Sequence, residues 1–111
     1  MVVEIYFADE KVKNDFEKLR TNEEFRDLYR FICRAMKDIN AKPDCGIAIP
    51  KKLIPKQYIR KYGIDNLYKY DLPNAWRLLY SLGRKGIEII AIILEWCSHK
   101  EYERIFRYRA R

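Results

Sequence analysis

Histidine is nearly missing from this chain: its 111 residues include one, His99. The three cysteines, Cys33, Cys45 and Cys97, form no CxxC pair, and a lone imidazole cannot complete a usual zinc site with them. An odd number without paired spacing also argues against a disulfide framework, so reduced thiols, mostly packed in a core, are expected. Glycine and proline are scarce, four of each, and no repeat or low-complexity tract occurs. That composition describes one ordered domain over residues 1–111. The longest apolar run, "IEIIAIILEW", is interrupted by glutamates and falls short of the ~20 residues needed to cross a bilayer. No basic-then-apolar segment opens the chain. A soluble, cytoplasmic protein is expected, with no membrane contact, no metal and no cofactor.

Charge, by contrast, is plentiful and unevenly placed. The formal net charge is +7, yet residues 1–48 carry nine Lys/Arg against ten Asp/Glu, whereas residues 49–111 carry fourteen against six. A basic second half favours a polyanionic partner, nucleic acid before membrane, because neutralised phosphates release counterions. A solvated basic surface or a dock for an acidic protein has the same signature.

The hydrophobic pattern orders the elements. "VVEIYFAD" sets Val3, Ile5 and Phe7 on one face of an extended segment. "EKVKNDFEKLR" then spaces Val12, Phe16 and Leu19 as one helical stripe. After Thr21 or Asn22 as a cap, Phe25, Leu28, Tyr29, Ile32, Cys33, Met36 and Ile39 keep a helical period to about Ala41, so two helices should form a hairpin on one sheet face, with an exposed basic face opposite. From Lys42 to Asp65 three prolines break the pattern, and a long structured connection is expected, with a helical turn around Lys56 to Lys61. Its Lys51, Lys52, Lys56, Arg60 and Lys61, interleaved with Tyr58 and Tyr62, suit a surface that tracks phosphates and stacks bases; a merely solvated face would look alike.

"NLYKYDL", "AWRLLYSL" and "GIEIIAIILEWC" read as three antiparallel strands in a meander, the last two joined through Arg84 and Lys85, two further candidates for RNA contact. Pro73 cannot take the positive φ of a two-residue hairpin turn. A three-residue loop, Pro73 to Ala75, sets Asp71 opposite Arg77, with Lys69 on the same face. "HKEYERIFRYR" closes the chain with a helical pattern, Ser98 and Glu101 fitting a capping box. An imidazole such as that of His99 can move a proton either way, and Tyr102 lies one helical turn on, able to stack or to donate a proton. A polar helix-start histidine and a core-facing tyrosine are the plainer alternatives, as an Asp71 salt bridge is for Arg77.

The order strand, helix, helix, three-strand meander, short helix resembles the RelE/ParE superfamily of bacterial and archaeal type II toxins. "NLYKYDLPNAWRLLYSL" looks like that family's Tyr-Lys strand followed by its "yRLvY" strand, and "HKEYERIF" looks like its end, in which a His or Arg is followed closely by a Tyr. The resemblance implies an α+β RelE/ParE-like fold and a toxin that cuts mRNA on the ribosome without a metal, silenced by a cognate antitoxin. It makes Arg77 the phosphate clamp, Lys69 a second phosphate ligand or the base, and His99 and Tyr102 catalytic. Where several ribonuclease members carry a second lysine, this chain has Asp71, either a substitute base or a partner that pins Arg77. ParE-like members are regarded instead as gyrase inhibitors, and a non-catalytic nucleic-acid-binding module is a further alternative. The Lys, Ile, Tyr and Glu content points to a heat-adapted or archaeal source.

Overall fold

A computed structural model describes residues 3–107. Val3–Phe7 form β1, Glu10–Thr21 α1, Arg26–Ala41 α2, Ile47–Ala48 β2, Lys56–Tyr62 α3, Tyr68–Asp71 β3, Arg77–Lys85 β4, Glu88–Cys97 β5 and His99–Arg107 α4. The fold is α+β: a five-stranded sheet in the order β1-β5-β4-β3-β2. β1 runs parallel to β5 and the other neighbours are antiparallel, which makes the sheet mixed. Residues 108 and 109 of the expected last helix lie outside the described residues.

Local chemistry sets the element boundaries. Asp9 caps α1 by accepting from the Val12 N–H at 2.9 Å. Asn22 accepts from the Glu24 N–H at 3.0 Å and starts a single 3₁₀ turn, Glu23–Phe25, that leads into α2. α3 ends at Gly63, whose φ of 65° is the left-handed geometry that glycine takes without strain. Pro73–Ala75 form the three-residue connection between β3 and β4, with the Leu72 N–H donating to the Trp76 carbonyl at 2.8 Å.

Two departures from expectation matter for function. The loosely patterned connection supplies a fifth strand: β2 pairs Ile47 with Lys69 and Ala48 with Tyr68. Gly46 permits that approach, since a Cβ there would stand 2.8 Å from both the Lys69 carbonyl oxygen and the Tyr80 hydroxyl. Second, the sheet face opposite the α1–α2 hairpin is not an open basic surface. On the hairpin side Val12, Phe16, Leu28, Ile32 and Ile39 meet Leu78, Tyr80, Ala91 and Ile93. On the other side Ile54, Tyr58, Ile64 and Leu67 meet Leu79, Leu94 and Cys97, with Tyr102, Ile105 and Phe106 of α4 joining them. β4 and β5 carry apolar side chains on both faces, so both had to be covered.

Candidate functional site

Across the second face of the sheet the strands align side chains in rows. Lys69 of β3 pairs with Leu79 and Leu79 with Glu95; one row on, Asp71 pairs with Arg77 and Arg77 with Cys97. The Asp71–Arg77 register is the one that a three-residue loop demands. β5 ends at Cys97 beside Arg77, and α4 starts at once. Its capping box is reciprocal: the Ser98 N–H donates to Glu101 Oε1 at 2.9 Å and the Glu101 N–H to Ser98 Oγ at 3.2 Å. That fixed start brings His99 and Tyr102 back over Arg77.

Five side chains singled out in the sequence therefore meet at one place. Lys69 Nζ lies 3.2 Å from Asp71 Oδ1, and Arg77 Nε lies 3.2 Å from the same oxygen. The Arg77 Nε–H is not aimed at that oxygen and makes an ion pair without a hydrogen bond. Arg77 Nη1 donates to the Ala75 carbonyl at 2.7 Å, which anchors the guanidinium to the turn. Both cations sit by the Tyr102 ring, Arg77 Cζ at 5.3 Å and Lys69 Nζ at 5.7 Å from its centroid. The cations are largely sunk, with side chains 20% and 17% exposed, while Asp71 is 50% exposed. An incoming phosphate can replace the accessible carboxylate without moving the cations.

His99 bridges two partners. Its Nδ1 is 3.4 Å from Arg77 Nη2 and its Nε2 is 3.4 Å from Glu103 Oε1. Arginine can only donate, so in the neutral imidazole Nδ1 is the acceptor and Nε2 carries the proton toward Glu103. The imidazole lone pair thus points at the cationic cluster. Burial raises the Tyr102 phenol above its usual pKa, and the nearby guanidinium offsets part of that rise. Tyr102 is accordingly a proton donor at neutral pH.

The basic residues expected to track RNA are not all at this cluster. Lys51 and Lys52 sit on a short 3₁₀ turn, and Lys56, Arg60 and Lys61 on α3, all exposed. Lys61 turns to α1, 3.9 Å from Asp9, and covers the Tyr62 ring at 5.2 Å. Tyr58 is no stacking platform. It is 4% exposed, its hydroxyl donates to the Glu95 carboxylate, and burial drives its phenol far above the ordinary range. An apolar ring at this point of α3 closes the second core, a role that its basic neighbours concealed. Arg84 and Lys85 lie at the other end of β4 from Arg77, about 25 Å away at strand rise.

The chain matches no protein family, no curated protein and no solved structure. The site therefore rests on its own geometry. Two acidic residues of that geometry were passed over in the sequence. Glu103 was signalled only by its four-residue spacing from His99. Glu95 was hidden by a β-bulge: β4 residues Leu79 and Tyr80 are consecutive, but their β5 partners are Glu95 and Ile93. The extra residue, Leu94, leaves Leu94 in the second core and Glu95 against Tyr58. Among the described residues no three His, Cys, Asp or Glu side chains group as metal ligands, and no helix is long and apolar enough to cross a membrane.

Proposed function

We propose that this protein is a type II toxin of the RelE/ParE kind, a metal-independent endoribonuclease that cleaves mRNA, on the ribosome, and is held silent by a cognate antitoxin. One observation carries the reading: Lys69, Arg77, His99 and Tyr102, which the resemblance selects from three separate segments, join Asp71 in one connected cluster of contacts. Together they hold what ribose-phosphate cleavage needs, which is a proton acceptor for the 2′-OH, cations for the phosphorane and a proton donor for the 5′-oxygen.

In this mechanism Arg77 and Lys69 exchange Asp71 for the non-bridging oxygens of the scissile phosphate. The 2′-oxygen gives its proton to His99 Nδ1 or to Asp71 and bonds to phosphorus. The bond to the 5′-oxygen breaks, and that oxygen takes a proton from Tyr102 or from His99 once protonated. The products are a 2′,3′-cyclic phosphate and a 5′-hydroxyl. Glu103, at Nε2, steadies the imidazolium formed on the way.

A non-catalytic alternative, an RNA-binding module or a ParE-like gyrase inhibitor on the same fold, draws support from Asp71, which pairs with both central cations as they stand. Incubation of full-length protein with mRNA on translating ribosomes in EDTA separates the readings. The ribonuclease reading expects cuts that vanish in Arg77→Ala and fall by about 10²-fold or more in His99→Ala/Tyr102→Ala. Absence of cleavage by folded protein overturns it, and toxicity that survives the double change together with gyrase-dependent DNA damage assigns the inhibitor.

A further inference from the structure

A cleft lies outside this cluster, where β5 loses its partner. The β1–β5 pairing stops at Phe7 opposite Ile93, and Ala8 N–H makes the last bond, to the Ile93 carbonyl at 2.8 Å, before the chain turns into α1. Beyond that point Leu94, Glu95 and Trp96 line a cleft of about 500 Å³ between α1 and α3. That volume lies in the range of small-ligand sites. Trp96 and Tyr62 supply aromatic wall, Gln57 an amide, and Lys11, Lys18 and Lys61 a basic rim.

We propose that the cleft is a site for a guanine nucleotide, with the Glu95 carboxylate accepting from the base's N1–H and N2–H₂ and the lysines of the rim holding its phosphate. Glu95 is fixed for this task by the Tyr58 hydroxyl, which donates to Oε2 from a nearly enclosed position. Burial and the carboxylate itself hold that phenol in its protonated, donating form. A carboxylate so anchored keeps lone pairs on both oxygens for two further donors. Of the four bases only guanine offers two adjacent N–H donors with no acceptor between them. Adenine and cytosine place a ring nitrogen acceptor beside their amino group, and uracil flanks its one N–H with carbonyls, so each sets an acceptor against the carboxylate.

The rim is free to respond. Lys11 pairs with Asp15 at 2.8 Å and Lys61 with Asp9 at 3.9 Å, but the lysine side chains are 77% and 59% exposed, and such pairs are weak enough to yield to a phosphate. The three lysines are matched by Asp15 and Glu95 in the lining and by Asp9 beside it, so a phosphate enters by displacing a carboxylate from a lysine. Glu95 also shares a row with Lys69, both opposite Leu79, about two strand spacings or ~10 Å apart. The guanine can thus belong to an RNA that also reaches the cationic cluster or to a free nucleotide, the recognised chemistry being the same.

Fluorescence reads this cleft directly. Trp96 lines it, while the other tryptophan, Trp76, stands against Phe25 at 6.5 Å and can be removed as Trp76→Phe. In full-length protein carrying Trp76→Phe and Arg77→Ala, GMP, AMP, CMP and UMP are titrated, then five-nucleotide RNAs with one guanine or none. Because Arg77→Ala removes cleavage, the outcome does not depend on whether the chain is a ribonuclease. GMP should change Trp96 emission with at least about tenfold tighter binding than the other three, the scale of hydrogen bonds to a charged group. Glu95→Gln, which can still accept from Tyr58, should abolish that preference, and the exposed changes Lys18→Ala and Lys61→Ala should weaken every nucleotide alike. Tighter binding of the guanine RNA than of GMP assigns the site to RNA, and the reverse assigns it to the free nucleotide. No response to any nucleotide, or a preference that survives Glu95→Gln, overturns the proposal.

Discussion

Asp71 is the residue on which the cationic cluster turns. It pairs with both Lys69 and Arg77 from an accessible position, so it competes with any phosphate for the same two partners. Asp71→Asn should therefore tighten binding of a cleavage-blocked, 2′-deoxy-substituted RNA. It should also steepen the logarithmic salt dependence by about 0.7, the slope expected per single-stranded phosphate contact. The same variant separates the two candidate bases. Cleavage that persists in Asp71→Asn assigns proton acceptance to His99, and cleavage lost despite tighter binding assigns it to Asp71. His99 has its lone pair set by Arg77 and its N–H by Glu103.

Two connecting elements hold the site, and each carries a measurable strain or bond. The β3–β4 turn puts Asn74 at φ 61° and Ala75 at φ 63°. Asn tolerates that region, whereas Ala carries a Cβ penalty of about 1–2 kcal/mol. The same Ala75 offers its carbonyl to Arg77. Ala75→Gly should raise the free energy of unfolding by up to about 1 kcal/mol, since glycine's greater unfolded entropy returns part of the relief, as read from urea midpoints. The second element is the segment before β2, tied down by Tyr80: its buried hydroxyl accepts from the Gly46 N–H at 2.9 Å and donates to the Pro43 carbonyl at 2.7 Å. Tyr80→Phe leaves both groups unpaired and should destabilise by about 1–3 kcal/mol, with the Gly46 amide losing protection in hydrogen exchange.

Over the whole molecule, phenols and a thiol buried in both cores make stability sensitive to alkali. Burial raises the Cys97 thiol from 9.0 to about 12, and burial with the Asp38 contact raises the Tyr70 phenol from 10.0 to about 12. Tyr58 and Tyr80 are raised still further. Each group is held protonated in the fold and ionises earlier in the unfolded chain, so stability is intact below pH 9 and falls from there toward pH 12. A fully buried group removes up to about 1.4 kcal/mol per pH unit, and Tyr70, partly open to solvent, removes less. Urea midpoints should stay level to pH 9 and then drop, with Cys97→Ala delaying the onset toward pH 10. A level profile through pH 11 would show that these groups ionise alike in folded and unfolded chains.

The sequence by itself determined the alternation of β3 and β4, the three-residue turn after Asp71 and the capping box at Ser98, because each depends on neighbours a few residues apart. From those alone Lys69, Asp71 and Arg77 had to share a face. Only the tertiary structure decided that Tyr58 is core and Glu95 faces a cleft, since a bulge one residue long and a helix crossing from a distant segment leave no periodic mark. It also decided that Arg84 and Lys85 stand apart from Arg77 and that the second face is covered by α3 and α4. Charge along a chain reports composition, whereas coverage depends on which apolar side chains meet across the sheet.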